Sequence, residues 1–292
     1  MPSAILSTMK IMRNLGLRLD SEDERTKFRD IGVEFASGTK MPGGGIVATI
    51  DLPEDDSRWR GIELLLGGRR TIDSVASTFS SADLSAAKFL RIVAKSSGYP
   101  QPENKSGYLS ATYDLTDYCP HCGIGKKQVA PFRFKGLPAL RNNSIIQLNW
   151  IFDEYFVSAA TWETVFKPLG IEKRSVVLHK TGFEMLSPFQ LDIPHVCDLN
   201  LEGAGYTECS YCGRKKYSPI FKGFLPGPAE PSTSMFKSSQ SFGSGALAFK
   251  LVIISADAYR KFKDIGLKDA NFYACASEQG DVGTVAAPPT TL

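Results

Sequence analysis

The sequence predicts an α+β fold in which two related units follow an N-terminal α+β region, and three observations carry that prediction. Four of the six cysteines fall in two matching patterns, Cys119-Pro-His-Cys122-Gly123 and Cys209-Ser-Tyr-Cys212-Gly213. The same order of features follows each pattern. Each half then carries a β-rich run closed by Ser, a stretch of helical period and a Gly.

Length and composition set the bounds. A chain of 292 residues suits two or more units packed together better than one compact domain. With 42% hydrophobic and 11% aromatic residues it can bury a sizeable core. The 34 basic and 31 acidic residues leave a net charge of +3, too near balance for bulk attraction to nucleic acid or membrane. The longest apolar stretches, such as 247–256, fall well short of the roughly 20 residues of a spanning helix. Residues 1–19 lack an uninterrupted apolar segment before a cleavage site, so they read as an ordinary helix or as an extension before a start at Met9. The expected location is the cytoplasm, with no membrane partner.

Two Cys-x-x-Cys-Gly turns make a metal pattern. A thiolate pair with two intervening residues grips a tetrahedral ion, and the Gly accepts the backbone geometry that turns amides toward sulfur. Together Cys119, Cys122, Cys209 and Cys212 complete an all-cysteine shell, for which structural Zn2+ is expected over iron–sulfur, although softness alone admits either. The gap between Cys122 and Cys209 is longer than in a compact ribbon, which argues against an independent small finger, so the ion would clasp distant segments. Two disulfides, or a thioredoxin-like redox pair, use the same spacing, although no secretion signal supports the former. Cys197 and Cys275 read as small buried hydrophobes. His195, two residues before Cys197, makes with it a set of alternative ligands. His121 reads as an exposed turn position and His179 as a strand residue.

The repeat continues beyond the cysteines. CGIGKKQVAPFRFKG and CGRKKYSPIFKG share a Gly, a Lys pair, a Pro and a closing Phe-Lys-Gly. Further on, 152–158 matches 249–255, each a strand-like run ending in Ser158 or Ser255, and Ser is a strong helix N-cap. Trp162, Val165, Phe166 and Leu169 then keep helical spacing, as do Ala258, Phe262 and Ile265. Gly170 and Gly266 occupy left-handed C-cap positions, and 174–180 and 270–276 read as returning strands. The aromatic stripes read as core. We therefore expect a region of unclear role at 1–114, repeat units at 115–200 and 201–276, and a disordered tail at 277–292. Within the first region 51–60 reads as a polar loop, 62–66 as a short apolar run and 81–94 as helix. The glycines at 43–45 and 67–68 read as turns, because no Gly-Lys-Ser/Thr follows. Residues 227–245 read as a long loop.

At these residues the chain resembles the double-CXXCG family of bacterial proteins, known from myxobacterial paralogues and regarded as immunity proteins that neutralise a cognate polymorphic toxin. The likeness covers about 115–276. It rests on the two cysteine turns, their wide spacing and the strand-Ser-helix-Gly units ending in Leu169-Gly170-Ile171 and Ile265-Gly266-Leu267. It implies the four cysteines as metal ligands, a protein toxin as partner and no catalytic residue. In the family the first turn lies near the N-terminus, whereas more than a hundred residues precede it here.

Three functions compete. The first is the non-enzymatic, toxin-neutralising binder, for which Asp153-Glu154-Tyr155 is one interface segment to consider, with Tyr155 facing the core as the alternative. The second is a zinc-ribbon nucleic-acid binder using Lys126, Lys127, Arg214, Lys215 and Lys216 with Phe132 and Tyr217. The plainer reading is that these cations offset the formal charge of a four-thiolate site. The third is an enzyme, which a closed thiolate shell and three scattered histidines do not support.

Overall fold

The computed structural model describes residues 9–95, 107–138, 140, 144–148, 151–229, 231 and 233–276. The expected disordered tail at 277–292 lies outside the described residues. The chain divides into two compact units, Met1–Ser80 with Phe221–Gly223, and Ser81–Ile220 with Phe224–Leu292. Mixed α and β structure is present in both, with strands dominating.

The first unit runs β1 (Lys10–Leu19), α1 (Glu22–Asp30), β2 (Ser37–Lys40), β3 (Ile46–Pro53), α2 (Trp59–Leu66) and β4 (Ile72–Thr78). Its sheet order is β2-β3-β1-β4 with every pair antiparallel, the connectivity of a split β-α-β motif. The segment 1–19 expected as helix is strand over Lys10–Leu19, because Leu15, Leu17 and Leu19 alternate into the core with period two. They meet Ala48, Ile50 and Leu52 of β3, Phe28 of α1, and Trp59 and Ile62 of α2. The run 51–60 is likewise no simple loop, since β3 extends to Pro53 and α2 begins at Trp59. Ser21 caps α1 by accepting the Glu24 amide at 3.2 Å, while the Glu24 carboxylate accepts from the Asp20 amide at 2.8 Å. Phe221–Gly223 joins this unit at β4: the Ser77 amide donates to the Phe221 carbonyl, and the Gly223 amide to Ser77 Oγ.

The second unit begins at Ser81. The expected helix at 81–94 splits into a short helix, Ser81–Ala86, and a strand, Phe89–Ala94. Leu90, Ile92 and Ala94 alternate inward, and the strand sits between Val252–Ser255 and Ala270–Ala274, antiparallel to both. The five-stranded sheet so formed runs Val196–Cys197, Met235–Ser238, Val252–Ser255, Phe89–Ala94, Ala270–Ala274. A four-stranded sheet runs Glu172–Arg174, Phe189–Asp192, Ile151–Val157, Ile145–Leu148. In both sheets the strands before and after the helix do not touch, because a third strand lies between them: Phe189–Asp192 in one, Phe89–Ala94 in the other. The Tyr155 hydroxyl donates to the Ile92 carbonyl at 2.6 Å and ties the sheets together.

The helices begin and end as their caps dictate. Ser158 Oγ accepts from the Thr161 amide and Ser255 Oγ from the Ala258 amide, while Gly170 and Gly266 close the other ends at φ of 72° and 71°. Between the caps they differ. Ala256–Ile265 is regular α-helix, whereas 159–169 passes from one α turn through a π turn, Trp162–Phe166, into a 3-10 turn, Lys167–Leu169. Pro168 has no N–H to donate back to the preceding turn, so the ladder shifts there. Trp162, Val165 and Phe166 are buried as their spacing predicts, and Phe166 meets Phe262 at 5.2 Å between ring centroids. Ile265, on the predicted face, is 37% exposed. The strand expected over 174–180 is interrupted: Glu172–Arg174 stays in the sheet, Val176 turns into the core, and Val177–Leu178 pairs in parallel with Arg133–Phe134. His179 therefore lies just past a strand, exposed in a turn. Among the described residues no helix is long and apolar enough to cross a membrane.

Candidate metal centre

Each cysteine turn closes a short hairpin. Tyr113–Asp114 pairs with Lys127–Gln128 around the first, and Tyr206–Glu208 with Lys215–Tyr217 around the second. Inside each turn the same two backbone hydrogen bonds recur. The Cys119 amide donates to the Ile124 carbonyl and the Gly123 amide to the Cys119 carbonyl, at 2.9 and 2.8 Å; Cys209 to Arg214 and Gly213 to Cys209 repeat them at 3.0 and 2.8 Å. Gly123 and Gly213 hold φ of 80° and 69°, a region that other residues enter only with strain.

The turns lie against each other. Cys119 Sγ is 3.8 Å from Cys209 Sγ and Cys122 Sγ is 3.6 Å from Cys212 Sγ, across 90 positions of chain, and all four sulfurs lie within 4.8 Å of one another. Four thiolates around a tetrahedral ion at about 2.3 Å stand about 3.8 Å apart. The four predicted residues thus come together with the spacing a metal ion requires.

The electrostatics prepare the sulfurs unequally. Amides of Cys122 and His121 donate to Cys119 and hold its thiol down at about 7, and the Tyr211 and Cys212 amides lower Cys209 in the same way. Burial pushes Cys122 up to about 12, so a metal taken up here must displace that proton.

Two cations from the second turn reach into the first. Lys216 is buried, and its ammonium donates to the carbonyls of Cys122 at 2.8 Å, Leu247 at 3.2 Å and Gly245. Burial lowers its pKa while the nearby cysteines raise it. Arg214 donates to the carbonyls of Asp117 at 2.5 Å and Ile124 at 3.1 Å. Lys126 and Lys215 lie over Tyr113 and Tyr206, at 5.3 and 4.6 Å from the ring centroids.

Of the remaining sequence candidates, none joins the sulfurs. Cys197 is half-buried on strand Val196–Cys197 and contacts the Asp198 carbonyl, and His195 is exposed; neither belongs to the four-sulfur group. Cys275 is a buried hydrophobe, its thiol pushed up to about 12 by burial. The interface reading of Asp153-Glu154-Tyr155 does not hold for Tyr155 or Glu154. Tyr155 is 1% exposed, Glu154 pairs with Lys237 at 2.6 Å in a nearly closed site, and Asp153 accepts from the Lys250 amide. Sequence reasoning placed His121 at an exposed turn position, where it is, but missed that it stacks on Tyr211 with centroids 3.4 Å apart and planes 2° apart. The signal was available, since both are the third residue of their Cys-x-x-Cys.

Comparisons with protein-family models, with curated proteins and with solved structures gave no match.

Proposed function

We propose that the chain is a non-enzymatic binding protein, an antitoxin-like immunity protein that neutralises a cognate bacterial toxin in the cytoplasm, with one structural Zn2+ clasping two related units. The observation that carries the structural half is the convergence of four sulfurs from segments 90 positions apart. An all-thiolate shell of this kind leaves no open position for water, and so suits a brace rather than a catalyst. When bound, the ion would supply cohesion: Cys119 and Cys122 hold it from one hairpin, Cys209 and Cys212 from the other. Zinc is preferred because paired turns of this build suit a closed tetrahedral site without redox demands.

The duplication reading draws support from the matching hydrogen bonds of the two turns, the stacked third residues and the two Ser-capped helices. On that reading Phe89–Ala94 fills in the second sheet the place that Phe189–Asp192 fills in the first, although in the chain it precedes both repeats. The toxin partner follows from the resemblance to double-CXXCG immunity proteins. Nucleic acid is the weaker reading. Lys216 and Arg214 are committed to carbonyls of the first turn, while Lys126 and Lys215 lie on tyrosines, so four of the five basic residues beside the turns already have partners.

Co-expression with a toxin encoded beside this protein tests the function. Growth should recover when both are produced. Arrest that persists in the presence of folded protein, or the lack of any adjacent toxin, rejects the immunity reading.

A further inference from the structure

The four sulfurs are close enough to bond to one another as well as to a metal. All four sulfurs lie within 4.8 Å of one another, and the two pairs at 3.8 and 3.6 Å both run between the turns: Cys119 with Cys209, and Cys122 with Cys212. Access to them is graded. Cys212 is exposed, Cys209 half-buried, and Cys119 and Cys122 buried. Within each turn the first cysteine accepts hydrogen bonds from the turn's own amides, which holds its sulfur in place opposite its partner in the other turn.

We infer that this cluster is an oxidative modification site, at which hydrogen peroxide converts the clasp into disulfides that cross between the turns, Cys122–Cys212 first and Cys119–Cys209 second. The Cys212 thiolate, the most accessible, attacks one peroxide oxygen. The O–O bond breaks, one proton is taken up, and a sulfenic acid and water result. The Cys122 thiol then gives up its proton and attacks the Cys212 sulfur. The S–S bond forms, the S–O bond breaks, and the departing hydroxide takes a proton to become water. Two electrons pass from the sulfur pair to one peroxide. Cys119 and Cys209 repeat the sequence with a second peroxide. Closing the pairs from 3.8 and 3.6 Å to bonding distance requires movements of about 1.6 to 1.8 Å, small against the reach of two cysteine side chains. Any ion held by the thiolates leaves as they are consumed, while the two hairpins stay joined.

The released ion rests on the zinc reading proposed above, but the bond pattern depends on the sulfurs alone. The experiment uses the full chain, with metal content measured first. Hydrogen peroxide is added in steps, ion release is followed with a chromogenic chelator, and disulfides are mapped by non-reducing digestion and fragmentation mass spectrometry. The expected products are Cys122–Cys212 and Cys119–Cys209, with circular dichroism unchanged and full reversal by a dithiol reductant. Bonds within a turn, Cys119–Cys122 or Cys209–Cys212, overturn the inference, as do bonds to Cys197 or Cys275, sulfinic acid at Cys212 without a bond, or loss of structure on oxidation. Metal-free protein that still forms both crossing bonds supports this inference and removes the zinc reading. Metal-bearing protein that oxidises within its turns does the reverse.

Discussion

The two cysteine turns have the same backbone hydrogen bonds and opposite surroundings. The first is embedded: Cys119 and Cys122 are buried, the Lys216 ammonium holds the Cys122 carbonyl, and a Cβ on Gly123 would collide with the Ala246 carbonyl oxygen. The second stands at the surface, with Cys212 exposed, Tyr211 70% exposed and open space where a Cβ on Gly213 would sit. One motif thus meets two sets of constraints. Local chemistry fixes the shape of each turn, but its tertiary setting decides how much a substitution costs.

The largest contrast should come from the ligands. Cys122→Ser removes a buried sulfur from a site where a bound metal would contribute on the order of 10 kcal/mol to folding, so the second unit should lose its cooperative thermal transition. Cys212→Ser, at the surface where water can take the vacated place, should leave the protein folded with a weaker grip on metal, read by chelator competition. Equal outcomes would abolish the distinction between the turns.

Next comes the glycine pair. Gly123→Ala combines a strained φ with a backbone collision and should cost about 3 kcal/mol or more, whereas Gly213→Ala carries strain alone and should cost about 1 kcal/mol. Urea denaturation of both variants measures the difference. Lys216→Met leaves three inward-facing carbonyls without their donor and should cost about 2 kcal/mol, together with a lower metal affinity. Arg214→Met, whose partners are more open to water, should cost less than half as much. The smallest effect belongs to the exposed stack: His121→Ala should change stability by about 0.5 kcal/mol, within the range of surface aromatic contacts.

What the sequence revealed and what it hid follow the same division between local and distant causes. The cysteine turns, the Ser158 and Ser255 caps, and Gly170 and Gly266 were legible because each depends on a few neighbouring residues. The placement of Phe89–Ala94 was not, because its partners are strands Val252–Ser255 and Ala270–Ala274 far along the chain. Its alternation of Leu90, Ile92 and Ala94 was the available signal, obscured by the helix-forming run that precedes it. Lys10–Leu19 was misread for a similar reason, since Met12, Arg13 and Asn14 carry no period and only Leu15, Leu17 and Leu19 reveal the strand. Within the site, the four sulfurs were legible from spacing. The part played by Lys216 was not, because the carbonyls of Gly245 and Leu247 reach it only through tertiary folding.

X-ray absorption at the zinc edge, combined with elemental analysis of the purified chain, tests the central claim most directly. The account predicts about one zinc per chain, surrounded by four sulfur atoms at about 2.3 Å and no nitrogen or oxygen. Fewer than four sulfurs around the ion, or fully folded protein without metal, would contradict it.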